Sequence, residues 1–323
     1  MSNPLHRPEL VRRVITAAVL APSVHNTQPW RFVLRDGVLE LHADGRRRLP
    51  VMDPRGRAMV VSCGAALLNV RLALASAGAT PEVTLVAGGE HGDGMLLAEV
   101  RAAEPAFVSS GESSLYAAIA RRRSNRQPFQ ERQVPDDVVK QMIAAAESEN
   151  AQLWQIERDV ASAVLEVVRD AEKELVSDPE YRSELDRWTA DRHRLDGVPR
   201  YAFGPRPGPG ELPMRDFGLD WWHSPRPGAR FERRPQLAAL VAHGDDPRSW
   251  LAAGQALQRV LLTATAHGVA TSLFSQPVDV KDMRRPRPGQ RTGSHLQIII
   301  RFGYGPPAPS APRRPVTAVF ETA

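Results

Sequence analysis

Apolar residues fall at helical spacing over residues 9–20, "ELVRRVITAAVL", where Leu10, Val14, Ala17 and Ala18 share one face and Pro22 closes the run. The spacing predicts a helix that points into a polar turn, "APSVHNTQPW", residues 21–30. Beyond that turn come two apolar-rich runs, "WRFVLRDGVLELHAD", joined by Asp36 and Gly37. That dipeptide tolerates the positive φ angles of a type I′ turn, so the stretch predicts a β-hairpin. The residue before a proline is held out of the helical region, so Gln28 is expected to be extended, with Trp30 anchoring the following strand in the core. The strongly apolar "SCGAALLNVRLALASAG" reads as a buried helix ended by Gly78. Strands follow at 82–87 and 95–102, and a helix over "SLYAAIARRR" leads into "SNRQPF".

The pattern recurs along the chain. Gly64, Ala66, Leu67, Val70, Leu72 and Gly78 return as Gly254, Ala256, Leu257, Val260, Leu262 and Gly268, all at one offset of 190 residues. A second echo sets Asn26, Gln28 and Trp30 against Asn150, Gln152 and Trp154, at an offset of 124. Two echoes in the same order describe a fused duplication, with one repeat over residues 1–108 and another over 109–323. Between about 170 and 235 lies an insertion, helical at first and then, from 196 to 228, too rich in Pro and Gly for regular structure. Its aromatics Phe217, Trp221 and Trp222 are expected to cover something, as a lid.

Composition narrows the function. A chain of 323 residues, 42% hydrophobic and 24% charged, is globular by default. The run "MSNPLHRPEL" lacks the basic-then-apolar order of a signal peptide, and no stretch approaches the roughly 18 uninterrupted apolar residues of a membrane helix. A cytoplasmic location without membrane attachment is expected. A net charge of +5 raises nucleic acid as a partner, yet the basic residues are nearly all Arg and are scattered among 37 acids rather than gathered in a stripe. No nucleic-acid partner is expected. A single cysteine, Cys63, excludes an internal disulfide framework.

The common catalytic signatures are missing: there is no GxGxxG, phosphate-binding GK[ST], GxSxG or metal-ligand spacing. "GPRPGPG" is no phosphate cradle, because its prolines lack the backbone donors. His25, a loop histidine between Val24 and Asn26, reads as a spacer, and no general base or other catalytic residue is assigned. Arg122, Ser124 and Arg126 alternate where a helical run gives way to extended chain, so all three project to one side and can clasp a phosphate. The competing reading is a solvated charge run that complements the end of a helix.

A helix, then "PSVHNTQPW", then a strand resembles the flavin loop of the nitroreductase superfamily, whose RxSxR element holds the FMN phosphate. The duplication, the block "DPRGRAMVVSCGAALLN", the insertion and the ending "IIIRFGYGPPAPSAPRRPVTAVF" resemble its Acg-like tandem branch. The resemblance implies an α+β fold in which two fused repeats form an intramolecular pseudo-dimer of mixed and antiparallel sheets flanked by helices. It implies one FMN per chain, with Pro22, Ser23, Val24 and Asn26 edging the flavin ring. Arg122, Ser124, Arg126 and Arg313 would hold the phosphate, and Ser275 and Gln276 of "LFSQP" would face the ring. The second copy reads "ESENAQLW", so the mirror-image site is expected to be dead. The implied activity is transfer of hydride from NAD(P)H through flavin to a small nitroaromatic or quinone-like acceptor, with the fused monomer as the working unit. Two alternatives stand beside it: a catalytically poor, flavin-sequestering protein with a closed lid, and a basic scaffold without flavin.

Overall fold

The computed structural model describes residues 3–91, 94–103, 110–189, 194–208, 210–218, 226–280 and 293–323. Helix α1 (Pro8–Ala18) buries Leu10, Val11, Val14 and Ile15. Strands β1 (Trp30–Arg35) and β2 (Val38–Asp44) form the expected hairpin, with φ of 49° at Asp36 and 72° at Gly37 as a type I′ turn requires. Helix α2 (Arg57–Ser76) begins several residues ahead of the sequence expectation. The reason lies upstream, where the Asp53 carboxylate accepts the backbone N–H of Met59 at 2.9 Å and closes the first turn.

Strands β3 (Thr80–His91) and β4 (Gly94–Ala103) complete the first half. Helices α3 (Ser110–Ile119) and α4 (Asp136–Glu147) lead to strand β5 (Ala151–Ile156). Helices α5 (Arg158–Ser177) and α6 (Pro179–Arg187) open the insertion, whose later part is irregular apart from the pair β6 (Arg206–Pro207) and β7 (Gly228–Ala229). Strand β8 (Gln236–His243), helix α7 (Pro247–Ala266), strand β9 (Ala270–Phe274), the short α8 (Gln276–Asp279), strand β10 (Ser294–Gly303) and strand β11 (Phe320–Thr322) follow.

These strands make two main sheets. The first runs β11-β1-β2-β4-β3, antiparallel except where β11 joins β1 in parallel, and the second is the antiparallel β5-β8-β10-β9. The fold is therefore α+β with mixed and antiparallel sheets. Leaving out β11, the two orders match strand for strand, β1-β2-β4-β3 against β5-β8-β10-β9.

Helices α2 and α7 carry the two copies of the glycine-bearing pattern, and they cross at those glycines. A Cβ on Gly64 would lie 2.2 Å from the Leu251 carbonyl oxygen, and one on Gly254 would lie 2.1 Å from that of Val61. Backbone contact at this separation admits no side chain, which is why both copies keep glycine. Farther along, the Gln258 amide donates to Asn69 and the Asn69 amide donates to the Ala17 carbonyl, each at 2.8 Å, tying α7 to α2 and α2 to α1. By length and mean hydropathy α2 could pass as a membrane span, although Asn69 and Arg71 interrupt its apolar run. Within the fold 94% of that apolar window is buried, so its surface is spent on the core.

The second echo holds only in part. Asn26 and Asn150 both adopt positive φ, 54° and 58°. Trp30 opens β1 and is fully buried, whereas Trp154 stands fourth in β5 and is exposed. Strand β5 starts directly after Asn150, so the two tryptophans are out of structural register. The insertion has a core of its own, in which Leu175, Tyr181, Leu185, Phe203 and Phe217 pack with Leu49 and Met52. Of the aromatics expected to form a lid, Trp221 and Trp222 lie outside the described residues.

Candidate active site

The turn after α1 is wound more tightly than the sequence suggests. His25, Asn26 and Gln28 have φ of 45°, 54° and 50°, so Gln28 is not extended as its position before Pro29 led us to expect. Three non-glycine residues in the left-handed region store strain that the surroundings must hold. The Gln28 backbone N–H donates to Ser23 Oγ at 2.9 Å, and its side-chain amide donates to the Leu195 carbonyl and accepts from the Arg314 N–H, each at 2.8 Å. Asn26 donates from its amide to the carbonyls of Gly197 (2.9 Å) and Pro312 (3.1 Å). Its Oδ1 accepts from Arg313 at 3.0 Å. The loop is therefore pinned by the insertion on one side and by the C-terminal segment on the other.

Two adjoining crevices open beside it. The larger is lined by Pro22, Ser23, Val24 and His25 of the turn, by Ala58, Val61, Ser62 and Ala65 of α2, by Ser124 and Arg126, and by Ser272, Leu273 and Ser275 around the end of β9. Met214, Arg215 and Phe217 of the insertion close it. The smaller shares Pro22, Ser23, Ser124 and Arg126 and adds Asn26, Arg122, Arg123 and Arg313. Nine of the ten residues singled out in the sequence line one crevice or the other. Gln276 is buried and lines neither, its amide lying beside Glu172 instead. Asn26 belongs to the arginine-lined end, where it positions Arg313.

Extended chain carries Arg122, Ser124 and Arg126 past β9: Ser124 bridges Thr271, and the Asn125 N–H donates to the Thr271 carbonyl at 2.7 Å. While Arg126 is half-buried, Arg122 is 3% exposed and so is no part of a solvated charge run. Its Nε and Nη1 have no hydrogen-bond partner, and Nη2 reaches only the Leu20 carbonyl at 3.4 Å. Burial, then Arg313 and Arg123, push the Arg122 guanidinium down to about 9. Burial and Arg215 bring Arg126 to about 10, and burial and Arg123 do the same to Arg313. Among the described residues, no carboxylate acts on any of the three. Arg122 is buried and Arg126 and Arg313 are half-buried, and cations so placed without a counter-ion among the described residues suit an anion carrying more than one charge.

Two residues of this site were missed in the sequence. His25 is buried, and its Nε2 lies 2.9 Å from Arg215 Nη1. Arg215 reaches the Asp279 carboxylate at 2.8 Å and faces Glu172 at 3.8 Å. Phe217 meets the His25 ring edge-on at 5.7 Å and lies under the Arg126 guanidinium at 4.7 Å. No local signal marks Arg215, whose partners come from three distant segments.

The nitroreductase family model matches residues 119–304, more than half of the chain. The chain belongs to the nitroreductase family. The match takes in Arg122, Ser124, Arg126, Ser275 and Gln276, and leaves out the turn at 22–26 and Arg313. The Mycobacterium tuberculosis protein Rv3131, which carries the name of an NAD(P)H nitroreductase, is 32% identical over 97% of this chain and 91% of its own length. Acg of the same organism, named likewise, is 28% identical over 99% of this chain and 98% of its own. Among solved structures, the FMN and NADPH-dependent nitroreductase NfnB of a Sphingopyxis strain is 17% identical, covering 64% of this chain and 97% of that one with a TM-score of 0.38.

Proposed function

We propose that this nitroreductase-family chain is an FMN-dependent oxidoreductase that draws reducing equivalents from NAD(P)H and delivers them to a small nitroaromatic or quinone-like acceptor. The observation that carries the reading is the convergence of buried Arg122 and half-buried Arg126 and Arg313, with no carboxylate acting on them among the described residues, in a crevice that adjoins a larger, mostly apolar one. A flavin mononucleotide has that polarity, a phosphate dianion at one end and a flat ring at the other. The orphaned guanidinium atoms of Arg122 fit such a phosphate.

When bound, FMN supplies the hydride chemistry, and the protein supplies placement and electrostatics. Arg122, Arg126 and Arg313, with the Ser124 hydroxyl, hold the phosphate. Pro22, Ser23 and Val24 border the ring, and the Ser62 hydroxyl, which accepts the Val24 N–H at 3.1 Å, fixes that border to α2. Ser275 stands at the opposite wall, its hydroxyl donating to Asp279 at 2.8 Å. Val61, Leu257 and Phe217 keep water from the ring.

Residues 1–108 and 109–323 are then two fused repeats that share one flavin, the first giving the turn and the second the arginines. The matched strand orders, the paired glycines and the pairing of β11 with β1 support a pseudo-dimer within one chain. A second reading, a flavin-sequestering protein, draws support from the insertion, since Arg215 and Phe217 stand inside the crevice itself.

The test is the visible spectrum of the purified chain followed by anaerobic titration with NADH and NADPH. A flavin band bleached by either nucleotide is expected. A protein that neither contains nor takes up FMN sinks the cofactor, and a bound flavin that neither nucleotide reduces moves the chain to the second reading.

A further inference from the structure

An ion pair buried outside both crevices joins β10 to the end of the insertion. Arg301 is wholly buried, and its guanidinium clasps the Glu232 carboxylate by two bonds, 2.5 Å from Nε and 2.7 Å from Nη2. Phe129 stacks against that guanidinium at 3.7 Å, with Phe231 at 5.4 Å. Taking two charges out of water costs about what their attraction returns, and apolar residues of like volume commonly serve stability as well or better. Stability alone does not account for the pair.

Its remaining bonds go to the segment that carries Arg122, Ser124 and Arg126. The same Nη2 donates to the Gln127 carbonyl at 3.1 Å, and the same Glu232 oxygen that meets Nη2 accepts the Phe129 N–H at 2.9 Å. One residue farther on, the Gln130 N–H donates to the Tyr304 carbonyl at 2.7 Å. Upstream, the segment meets β9 through a single bridge, Ser124 to Thr271, rather than through a ladder of pairs. Side chains of extended chain change sides at every step, so a slip of one residue turns Arg122, Ser124 and Arg126 away from the crevice. A lone bridge guards weakly against that slip. The ion pair adds a second anchor directly after Arg126.

We propose that Arg301 and Glu232 are positioning residues, a buried clamp that holds residues 122–129 in the register that presents Ser124 and the arginines to an anion. The proposal rests on the FMN reading above, since it takes that anion to be the flavin phosphate. A guanidinium and a carboxylate suit the task because one only donates and the other only accepts, so together they address a carbonyl and an N–H of the passing chain. Binding groups must be held to within about 0.5 Å by their supporting bonds, so loosening the clamp costs phosphate affinity although neither residue touches the ligand.

Removing one partner strands the other charge in the interior, so the decisive variant replaces both, Arg301→Met with Glu232→Met. A second variant, Arg301→Lys, keeps the charge and loses the planar fork. The full chain, freed of flavin, is titrated with FMN and with riboflavin, which has the same ring and no phosphate. Wild type is expected to prefer FMN. In both variants FMN affinity should fall about 10-fold while riboflavin affinity holds, so the preference collapses. A pair that served only the fold predicts parallel loss of both flavins or loss of neither, and either result overturns the proposal. If circular dichroism shows that the double variant does not fold, Arg301→Lys decides by the same outcomes. A wild-type chain with no preference for FMN removes the phosphate site and the clamp with it. A wild-type preference that survives substitution removes the clamp and leaves the FMN reading standing.

Discussion

A guanidinium in the interior is stable only in company, and Arg122 has the wrong company. Its neighbours Arg123 and Arg313 are cations, and burial works against its charge in the same direction. Each such group raises the energy of the ligand-free fold and lowers it again when a dianion arrives. Arg122→Ala and Arg126→Ala are each expected to weaken FMN binding roughly 10- to 100-fold, since a hydrogen bond to a charged group contributes about 1.5–3 kcal/mol. The ligand-free variants should melt no lower than wild type. Flavin fluorescence titration and thermal melts measure the two effects, and wild-type affinity in both variants would remove the phosphate assignment. The alternation of Arg122, Ser124 and Arg126 was legible because alternate residues in extended chain share one side. His25 was misread as a spacer because its partner Arg215 lies 190 residues away, and nothing near His25 in the chain announces it.

Among the elements, the contact between α2 and α7 decides the most. Gly64 and Gly254 meet each other across the crossing, each blocking the place where the other's side chain would go. This is the behaviour of a self-complementary interface, in which one patch meets its own copy. Gly254→Ala forces its Cβ toward the Val61 carbonyl and is expected to destabilise the chain by about 1–3 kcal/mol or more, read as a lower urea midpoint at unchanged slope. It should weaken FMN binding as well, because Val61 and Ser62 line the crevice one turn away. A variant as stable as wild type would show that the close crossing is dispensable. The same scale bears on the mirror-image position, which the sequence leads us to expect is dead. Glu149 stands at the position of His25 by the 124-residue offset, and it binds Arg71 of α2 at 2.6 Å and Arg259 of α7 at 2.7 Å. A loop end has become an interhelical ion pair.

In the whole molecule, neither residues 1–108 nor residues 109–323 hold a complete crevice. The turn at 22–26 belongs to the first, Arg122 to Arg126 and Ser275 to the second, and the C-terminal segment crosses back to lay Arg313 on Asn26 and β11 on β1. A fragment of residues 1–108 would leave the α7-facing side of α2 and the edge of β1 bare, so it is expected neither to fold stably nor to bind FMN. Circular dichroism melts and flavin titration of that fragment check this, and a folded, flavin-binding fragment would overturn the fused-repeat proposal. The sequence by itself determined the hairpin, the buried glycine-bearing helices and the recurrence of their pattern, and nine of the ten residues it singled out line the two crevices. Those features are written in short-range spacing or in motifs, and spacing fixes which side of a helix or strand a residue occupies. The tertiary structure alone decided that Gln28 winds into the left-handed region, that Trp154 turns outward, and that Arg215 reaches His25. Each of these depends on which distant segment supplies the hydrogen bond or the packing surface, and single-chain periodicity carries no record of partners brought together only by folding.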